Sequence, residues 1–330
     1  MGLHRALALP ALLFSFLLGC QPASDAGPET AGSSGSAGAS GNHAGGGSAG
    51  GSSSSGAGTA PLLRGSVVVS LVAPTDENEG HSTVLGRFFD GPTPSPIPLE
   101  LDTEQGDCRL LVPSHPFCST PCAPDVCTDD DVCTQYPSPL GVGSLAIAGL
   151  GTPLNIEPST SMYVYQSPSL PYPPCNEGDA VSASAAGFTL SAECIAPLEL
   201  SGADPIPVSA GSPVHVAWKP ASTNASSRIR IGLDLAHHGG KKGEIDCDVA
   251  DTGSFDIPEP LVTKLIGLGL AGYPTISVTR VSLGSDSSSP ELSLLVSQSE
   301  QRAIDTGVTS CQEDAQCTAP EVCQMDKTCG

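Results

Sequence analysis

Two adjacent histidines, His237 and His238, are residues whose type and setting could do chemistry. They lie between two predicted strands, in a glycine-rich segment that would let the backbone turn and aim both rings at one ion. Glu244, Asp246 and Asp248 alternate along the next strand, so we expect their carboxylates to share a face. This set could bind Ca²⁺ through oxygen ligands or a transition metal such as Zn²⁺ through the histidines. The acidic composition favours the alternative, a solvated hairpin tip with an acidic outer face.

The sequence Asp-Thr-Gly occurs twice, beginning at Asp251 and Asp305, and resembles the catalytic motif of pepsin-type aspartic proteases. In those enzymes two carboxylates share a proton across a cleft. Here the copies are only 54 positions apart, too close for two such lobes. Asp-Thr-Gly is also an ordinary turn sequence. Because the chain also lacks a Gly-x-Ser-x-Gly nucleophile elbow, a His-Glu-x-x-His motif and a phosphate-binding loop, the sequence predicts a protein that is not an enzyme.

Eight of the thirteen cysteines fall in two dense groups. The groups share residues as well as spacing, since 123–127 read Ala-Pro-Asp-Val-Cys and 319–323 read Ala-Pro-Glu-Val-Cys. Each group has too few apolar residues for a core, which predicts a small module held by disulfides. Zinc binding is the alternative, but most of these cysteines are more widely spaced than the close pairs of zinc sites. The modules contain Cys118, Cys122, Cys127 and Cys133, and Cys311, Cys317, Cys323 and Cys329.

These modules resemble other four-cysteine modules, and that resemblance implies pairing of the first cysteine with the third and of the second with the fourth. Outside the modules, Cys175 and Cys194 would join a predicted hairpin, which leaves Cys108 to pair with Cys247. Each closed loop would add ~2–4 kcal/mol of stability. Twelve cysteines can therefore pair completely, and Cys20 is left over.

Cys20 directly follows a segment, residues 1–19, that has the layout of a secretory signal. Its apolar run, residues 6–18, is shorter than the ~20 residues that a membrane-spanning helix needs. Leu-Leu-Gly-Cys at 17–20 resembles the lipobox of bacterial lipoproteins. That resemblance implies cleavage before Cys20, lipid on its sulfur and a fatty acyl chain on its amino group, and Gln21 implies the outer membrane. The alternative is ordinary cleavage near Ala23, with no lipid.

Composition limits the partners and the architecture of the chain. Residues 20–61 are nearly all Gly, Ser and Ala, which predicts a disordered tether with a reach of ~35 Å. The formal net charge of -22 repels phosphate backbones, so we expect no nucleic-acid partner.

Short runs rich in β-branched residues predict an all-β fold, a β-sandwich of one or two domains. We expect this sandwich region over 62–305, with the module 118–133 inserted and the second module at 306–330. One helix is expected at 260–270, where leucines recur at three-to-four spacing. We expect strands at 66–72, 84–89, 97–101, 108–112, 144–148, 154–156, 162–165, 180–184, 188–194, 214–218, 228–235, 244–249, 275–283 and 292–296.

Gly19-Cys20, the spacer, Val-His-Val-Ala-Trp-Lys-Pro at 214–220 and Asp-Thr-Gly-Ser-Phe-Asp-Ile-Pro at 251–258 occur together. Together they resemble a group of predicted cysteine-rich surface lipoproteins of Gram-negative soil bacteria. The resemblance implies a surface β-sandwich with no assigned activity. We therefore expect a lipid-anchored protein of the cell envelope that binds a surface protein or glycan, adheres, or has a structural role. The alternative is a metal-binding protein or metal-dependent hydrolase that uses His237 and His238.

Overall fold

The computed structural model describes residues 63–222, 226–286 and 289–330. The predicted signal peptide, Cys20 and the predicted tether therefore lie outside the described residues. The described part is mostly β-strand, which confirms the predicted all-β class, and it has no helix with the length and apolarity needed to cross a membrane. One α-helix, α1, spans Glu259–Gly267, close to the predicted helix, and a short 3₁₀ helix spans Asp314–Gln316.

The strands are numbered in chain order. They are β1 (Arg64–Val72), β2 (His81–Phe89), β3 (Leu99–Gln105), β4 (Cys108–Pro113), β5 (Val126–Asp129), β6 (Val132–Thr134), β7 (Leu145–Ala148), β8 (Leu154–Ile156), β9 (Tyr165–Gln166) and β10 (Leu170–Pro171). The chain continues with β11 (Ala180–Ala185), β12 (Phe188–Glu193), β13 (Leu200–Ser201), β14 (Ile206–Pro207), β15 (Val214–Trp218), β16 (Arg228–Asp234), β17 (Glu244–Ala250), β18 (Ser254–Ile257), β19 (Thr275–Asp286) and β20 (Ser289–Asp305).

One large sheet organises the molecule. Its strands follow the order β10-β2-β1-β20-β19-β16-β17-β4-β3, and β9 and β14 join it by pairing with β2 and β20. Neighbours are antiparallel, except that β20 pairs in parallel with β1 and with β14. Two smaller sheets, β12-β11-β7-β8 and β13-β15-β18, form further layers. β16 shows why the strands form, since Arg-Ile-Arg-Ile-Gly-Leu-Asp buries every second residue.

The large sheet buries apolar residues in two separate cores. In the first core, Val67 and Leu294 of the large sheet pack with Leu190 of the four-stranded sheet. In the second core, residues such as Ile229 pack with Val216 of the three-stranded sheet and with α1. These two cores, one under each half of the large sheet, account for the sandwich layers.

The hairpin of β19 and β20 crosses from one core to the other. Ile276 of β19 lies in the second core, whereas Leu294 of β20 lies in the first. Near the far end of β19, Gly284 lets the backbone of β12 approach closely. A Cβ atom at this position would lie 1.9 Å from the carbonyl oxygen of Ser191, so any side chain there would force the layers apart.

Six disulfides join all twelve cysteines of the described residues, as the sequence predicts. In each module the first cysteine pairs with the third and the second with the fourth. The bonds are Cys118–Cys127, Cys122–Cys133, Cys311–Cys323, Cys317–Cys329, Cys175–Cys194 and Cys108–Cys247. The Cys108–Cys247 bond joins directly opposed residues of β4 and β17, so it fixes one side of the large sheet.

Candidate functional site

The histidine pair lies at the turn after β16. The ring centroids of His237 and His238 are 4.0 Å apart, and Nδ1 of His237 lies 3.9 Å from Oδ2 of Asp234. The carbonyl oxygen of His237 accepts a hydrogen bond from the backbone N–H of Tyr273 at 2.7 Å. The backbone therefore does turn here, with His238 at a φ of 61°, and the rings lie beside each other.

Asp246 and Asp248 share the solvent face of β17, as their alternation predicts. Their nearest charged partners are arginines, since Asp246 faces Arg109 and Asp248 faces Arg228 and Arg230. The structure does not gather these carboxylates with the two histidines.

Within the described residues, the groups of three or more potential metal ligands with mutually close ligand atoms are made of cysteines. One group is Cys118, Cys122 and Cys127, and the other is Cys311, Cys317 and Cys329. All six of these cysteines are in disulfides, so they do not offer free thiolates. The geometry therefore supplies no assembled metal centre around His237, His238, Asp246 and Asp248.

Asp251, the first residue of one Asp-Thr-Gly sequence, lies in a buried ion-pair cluster with Arg280, Trp218 and Ser227. The guanidinium of Arg280 holds its carboxylate through two bonds, Nε to Oδ2 at 2.7 Å and Nη2 to Oδ1 at 3.1 Å. The indole N–H of Trp218 donates to Oδ1 at 2.8 Å, and the Ser227 hydroxyl donates to Oδ2 at 2.9 Å. The side chains of Arg280 and Asp251 are 0% and 3% exposed.

The remaining donors of Arg280 also have partners. Nη1 donates to the carbonyl oxygens of Ala196 and Pro197 at 3.2 and 2.6 Å, and Nη2 donates to the carbonyl oxygen of Lys219 at 2.5 Å. This arginine therefore joins β19 to two loops and to the residue after β17. A buried charge is tolerated only when it is paired and hydrogen-bonded, and this one is both.

Gln298 lies directly opposite Arg280 in the β19–β20 hairpin. Its amide accepts a hydrogen bond from the N–H of Leu198 and donates one to the carbonyl oxygen of the same residue, both at 3.1 Å. Tyr172 donates its hydroxyl to Gln298 Oε1 at 3.2 Å. The two opposed polar residues thus mark the boundary between the two cores.

The electrostatics of Asp251 follow from this cluster. Burial by itself raises the pKa of the carboxyl, but the hydrogen bonds from Arg280, Trp218 and Ser227 and the charge of Arg280 outweigh it. The net effect lowers the pKa of Asp251 below its usual value. The other Asp-Thr-Gly copy has a different role, because Asp305 Oδ1 caps the turn through the N–H of Gly307 at 2.9 Å. Both Asp-Thr-Gly sequences therefore have structural roles, Asp251 in the buried ion-pair cluster and Asp305 in a turn.

A polar groove of about 620 Å³ lies on the outer face of β4, β17, β16 and β19, opposite the second core. We call it the sheet-face groove. Cross-strand register explains its shape, since Arg109, Asp246, Gly232 and Ser277 fall in one row across the four strands. Gly232 leaves a gap in that row, because a Cβ atom there would meet Ser277 Oγ at 2.8 Å. The lining residues are Glu104, Gly106, Asp107, Cys108, Arg109, Arg230, Ile231, Gly232, Asp246, Cys247, Asp248, Ser277 and Thr279.

The second row of the sheet-face groove contains Asp248, Arg230 and Thr279. Arg230 Nε lies 3.5 Å from Asp248 Oδ2, and Arg109 Nη2 lies 3.7 Å from Asp246 Oδ2. Both separations exceed the ~2.7–3.2 Å of a good hydrogen bond. Oδ1 of Asp248 already accepts a close hydrogen bond from Arg228 Nε. Arg109, Arg230 and Asp246, by contrast, lie beside oppositely charged groups without a close hydrogen bond to them.

Asp246 is the groove residue with a shifted pKa. Partial burial raises the pKa of its carboxyl most, and the neighbouring Glu244 adds to the rise, while Arg109, Lys241 and Arg230 oppose it. Ionised Asp246 is therefore under-stabilised, and a ligand that donates a hydrogen bond to it would improve its environment. Perturbed carboxylates in a concave site are typical of binding sites.

The sequence alone does not predict that the residues of the Asp251 cluster, or those of the sheet-face groove, come together. The alternation predicts that Asp246 and Asp248 share a face. Arg109 could not be added to them, because its contact depends on the pairing of β4 with β17, which are distant in the chain. Arg230 could not be added either, because its contact depends on the register of β16 against β17. Arg280 carried one signal, a charged residue at an inward position of the apolar run 275–283.

No protein-family model matches the chain, and no curated protein sequence is significantly similar to it.

Proposed function

We propose that this protein is exported and is anchored by lipid in the cell envelope, at the outer membrane. It binds a ligand on its β-sandwich and does not catalyse a reaction. The observation that supports the proposal most is the pairing of all twelve cysteines of the described residues in six disulfides. Disulfides of this number persist in oxidising compartments outside the cytosol.

The cysteine count also supports the anchor. Thirteen cysteines in the chain less twelve in disulfides leaves Cys20, at the end of the signal-like segment. Because the other twelve cysteines pair with one another, none of them competes with lipid for the sulfur of Cys20. Two or three acyl chains bind a membrane stably, whereas a single chain binds only marginally.

The sheet-face groove supports the binding role. It is preformed on paired strands, one side of it is fixed by the Cys108–Cys247 bond, and its volume falls in the ~300–1,000 Å³ range of small-molecule sites. The metal-dependent alternative has no comparable support, because His237 and His238 are not gathered with Asp246 and Asp248. A net charge of -22 argues against nucleic acid as the ligand.

The test is the intact mass of the full-length protein expressed with its own signal in a Gram-negative host. We expect a chain that begins at Cys20 and carries diacylglycerol and an acyl group. Reduction should add the hydrogens of six disulfides. Cys20→Ala should lose the lipid mass and the membrane association, while the control Gln21→Ala keeps the lipid. A wild-type chain that starts elsewhere and carries no lipid would overturn the proposal.

A further inference from the structure

We infer that the sheet-face groove binds an uncharged oligosaccharide, whose hydroxyl groups accept hydrogen bonds from Arg109 and Arg230 and donate hydrogen bonds to Asp246 and Asp248. This inference rests on the proposed binding role and names the class of ligand for it.

The mixed charges along the groove disfavour a simple ion as the ligand. The lining contains two guanidinium groups, on Arg109 and Arg230, and four carboxylates. An anion such as phosphate would approach the carboxylates, and a cation would approach the guanidinium groups. A neutral polyol avoids both penalties, because each hydroxyl can accept from an arginine and donate to an aspartate at the same time.

Arg109, Arg230, Asp246 and the second carboxylate oxygen of Asp248 are left open for such a ligand, since only Oδ1 of Asp248 accepts a close hydrogen bond, from Arg228. Arg109 and Arg230 remain 3.7 and 3.5 Å from their aspartates, so a hydroxyl oxygen beside each pair could lie within hydrogen-bond distance of both partners. Charge-assisted hydrogen bonds of this kind are stronger than neutral ones. The pKa of Asp246, raised mainly by burial, gives the same indication of a carboxylate short of donors.

The spacing suits an oligomer more than a single small molecule. Polar groups recur across neighbouring strands, which lie ~4.7–4.9 Å apart, in two adjacent rows, and Gly232 leaves a gap in the first of them. A short chain of sugar rings laid across the strands would meet a new donor–acceptor set at each strand. No aromatic side chain occurs among the described lining residues, so binding would depend on hydrogen bonds, and we expect dissociation constants in the millimolar range.

The experiment uses the full lipidated protein in a polyoxyethylene detergent, because detergents with sugar head groups would compete. Saturation-transfer difference NMR would compare neutral trisaccharides of glucose, mannose and N-acetylglucosamine with trigalacturonate, the glucosamine trimer and a zwitterionic dipeptide. We expect at least one neutral trisaccharide to bind and the charged ligands to bind more weakly.

Two variants locate the site. Gly232→Val fills the floor while keeping a strand-forming residue, and the atom it meets first is a side-chain oxygen of Ser277; Arg230→Gln removes charged donors without filling space. Each should weaken binding at least tenfold. Ser70→Val, on the outer face of β1 away from the groove, should leave affinity unchanged. Circular dichroism and the melting temperature check that each variant is folded.

The inference is overturned if no neutral trisaccharide binds, if Gly232→Val and Arg230→Gln bind as well as the wild type, or if an anion, a cation or the dipeptide binds more tightly. These results are independent of the lipid measurement. Missing lipid on Cys20 would contradict the anchor while leaving the oligosaccharide site intact. A lipidated protein that does not bind the neutral trisaccharides would contradict only the inferred class of ligand.

Discussion

Two arginine–aspartate pairs, Arg280–Asp251 and Arg228–Asp248, involve the same large sheet but lie in opposite environments. The side chains of the first pair are 0% and 3% exposed, whereas those of the second are 48% exposed each. Asp251 and Arg280 have partners for their charged groups, which include three backbone carbonyl oxygens. The exposed pair adjoins the sheet-face groove, where Arg230 and Arg109 are only loosely paired.

The difference shows how one chemical pair can serve two purposes. Buried charges require complete hydrogen bonding, because an unpaired ion in the interior costs several kcal/mol. Such a saturated cluster is fixed and has no capacity for a ligand. Exposed charges remain hydrated and exchange partners at little cost. The boundary between the cores is therefore structural, and the groove is the part of the sheet with hydrogen-bonding capacity to spare.

The largest effect is expected from Arg280→Met. The substitution keeps a long apolar side chain but leaves Asp251 and three carbonyl oxygens buried without their donor. We expect the free energy of unfolding to fall by about 3–5 kcal/mol. Urea denaturation followed by fluorescence measures it directly, because Trp218, the single tryptophan of the chain, donates to Asp251.

The matched control is Arg228→Met, the same change in the exposed pair. It should lower the free energy of unfolding by less than ~1 kcal/mol. Equal losses of unfolding free energy in the two variants would contradict this expectation, since burial would then not decide how much the arginine contributes to stability.

The next effect concerns pH, because Asp251 and Asp246 shift in opposite directions. The pKa of Asp251 is lowered in the folded protein, so its contribution to stability is present above its ordinary pKa of ~3.9 and is lost as the pH falls through the folded-state pKa. The pKa of Asp246 is raised, so its contribution is present below the ordinary value and is lost as the pH rises through the folded-state pKa.

The two asparagine variants should therefore change the acid limb of the stability curve in opposite ways. Asp251→Asn should lower the free energy of unfolding by ~1–3 kcal/mol at pH 7 and flatten its decline below pH ~4. Asp246→Asn should change stability by less than ~0.5 kcal/mol at pH 7, as an increase, and steepen the decline on acidification. Urea titrations from neutral to acid pH test both, and slopes that change in the same direction would contradict the assignments.

Local patterns in the sequence predicted much of the fold. The strand β16, the hairpin of β11 and β12, and the disulfide-linked modules all follow from neighbouring residues. The second half of β20 was not predicted. Its inward positions Gln298, Glu300 and Arg302 are polar, so the apolar period of two disappears where the strand leaves the first core.

The two polar clusters could be predicted less completely than the strands, because their residues come from separate parts of the chain. The cluster around Asp251 could not be predicted, because no local pattern reveals Arg280, which lies 29 positions away on another strand. Arg109 and Asp246 meet only because β4 pairs with β17, across 137 positions of sequence. Strand order is a property of the whole chain, and both polar clusters depend on it.

The smallest effect is expected from the exposed pair itself, measured by a double-mutant cycle with Arg228→Gln and Asp248→Asn. The coupling energy should be ~0.2–1 kcal/mol, because solvent screens the pair and Arg230 can replace Arg228 beside Asp248. It should also shrink in 1 M salt, where the Debye length falls to ~3 Å. The same cycle on Arg280 and Asp251 should give a larger coupling that salt hardly changes. If the Arg228–Asp248 coupling exceeded ~2 kcal/mol and resisted salt, this exposed pair would be a saturated network like the buried one, and Asp248 would not be free to accept hydrogen bonds from sugar hydroxyls.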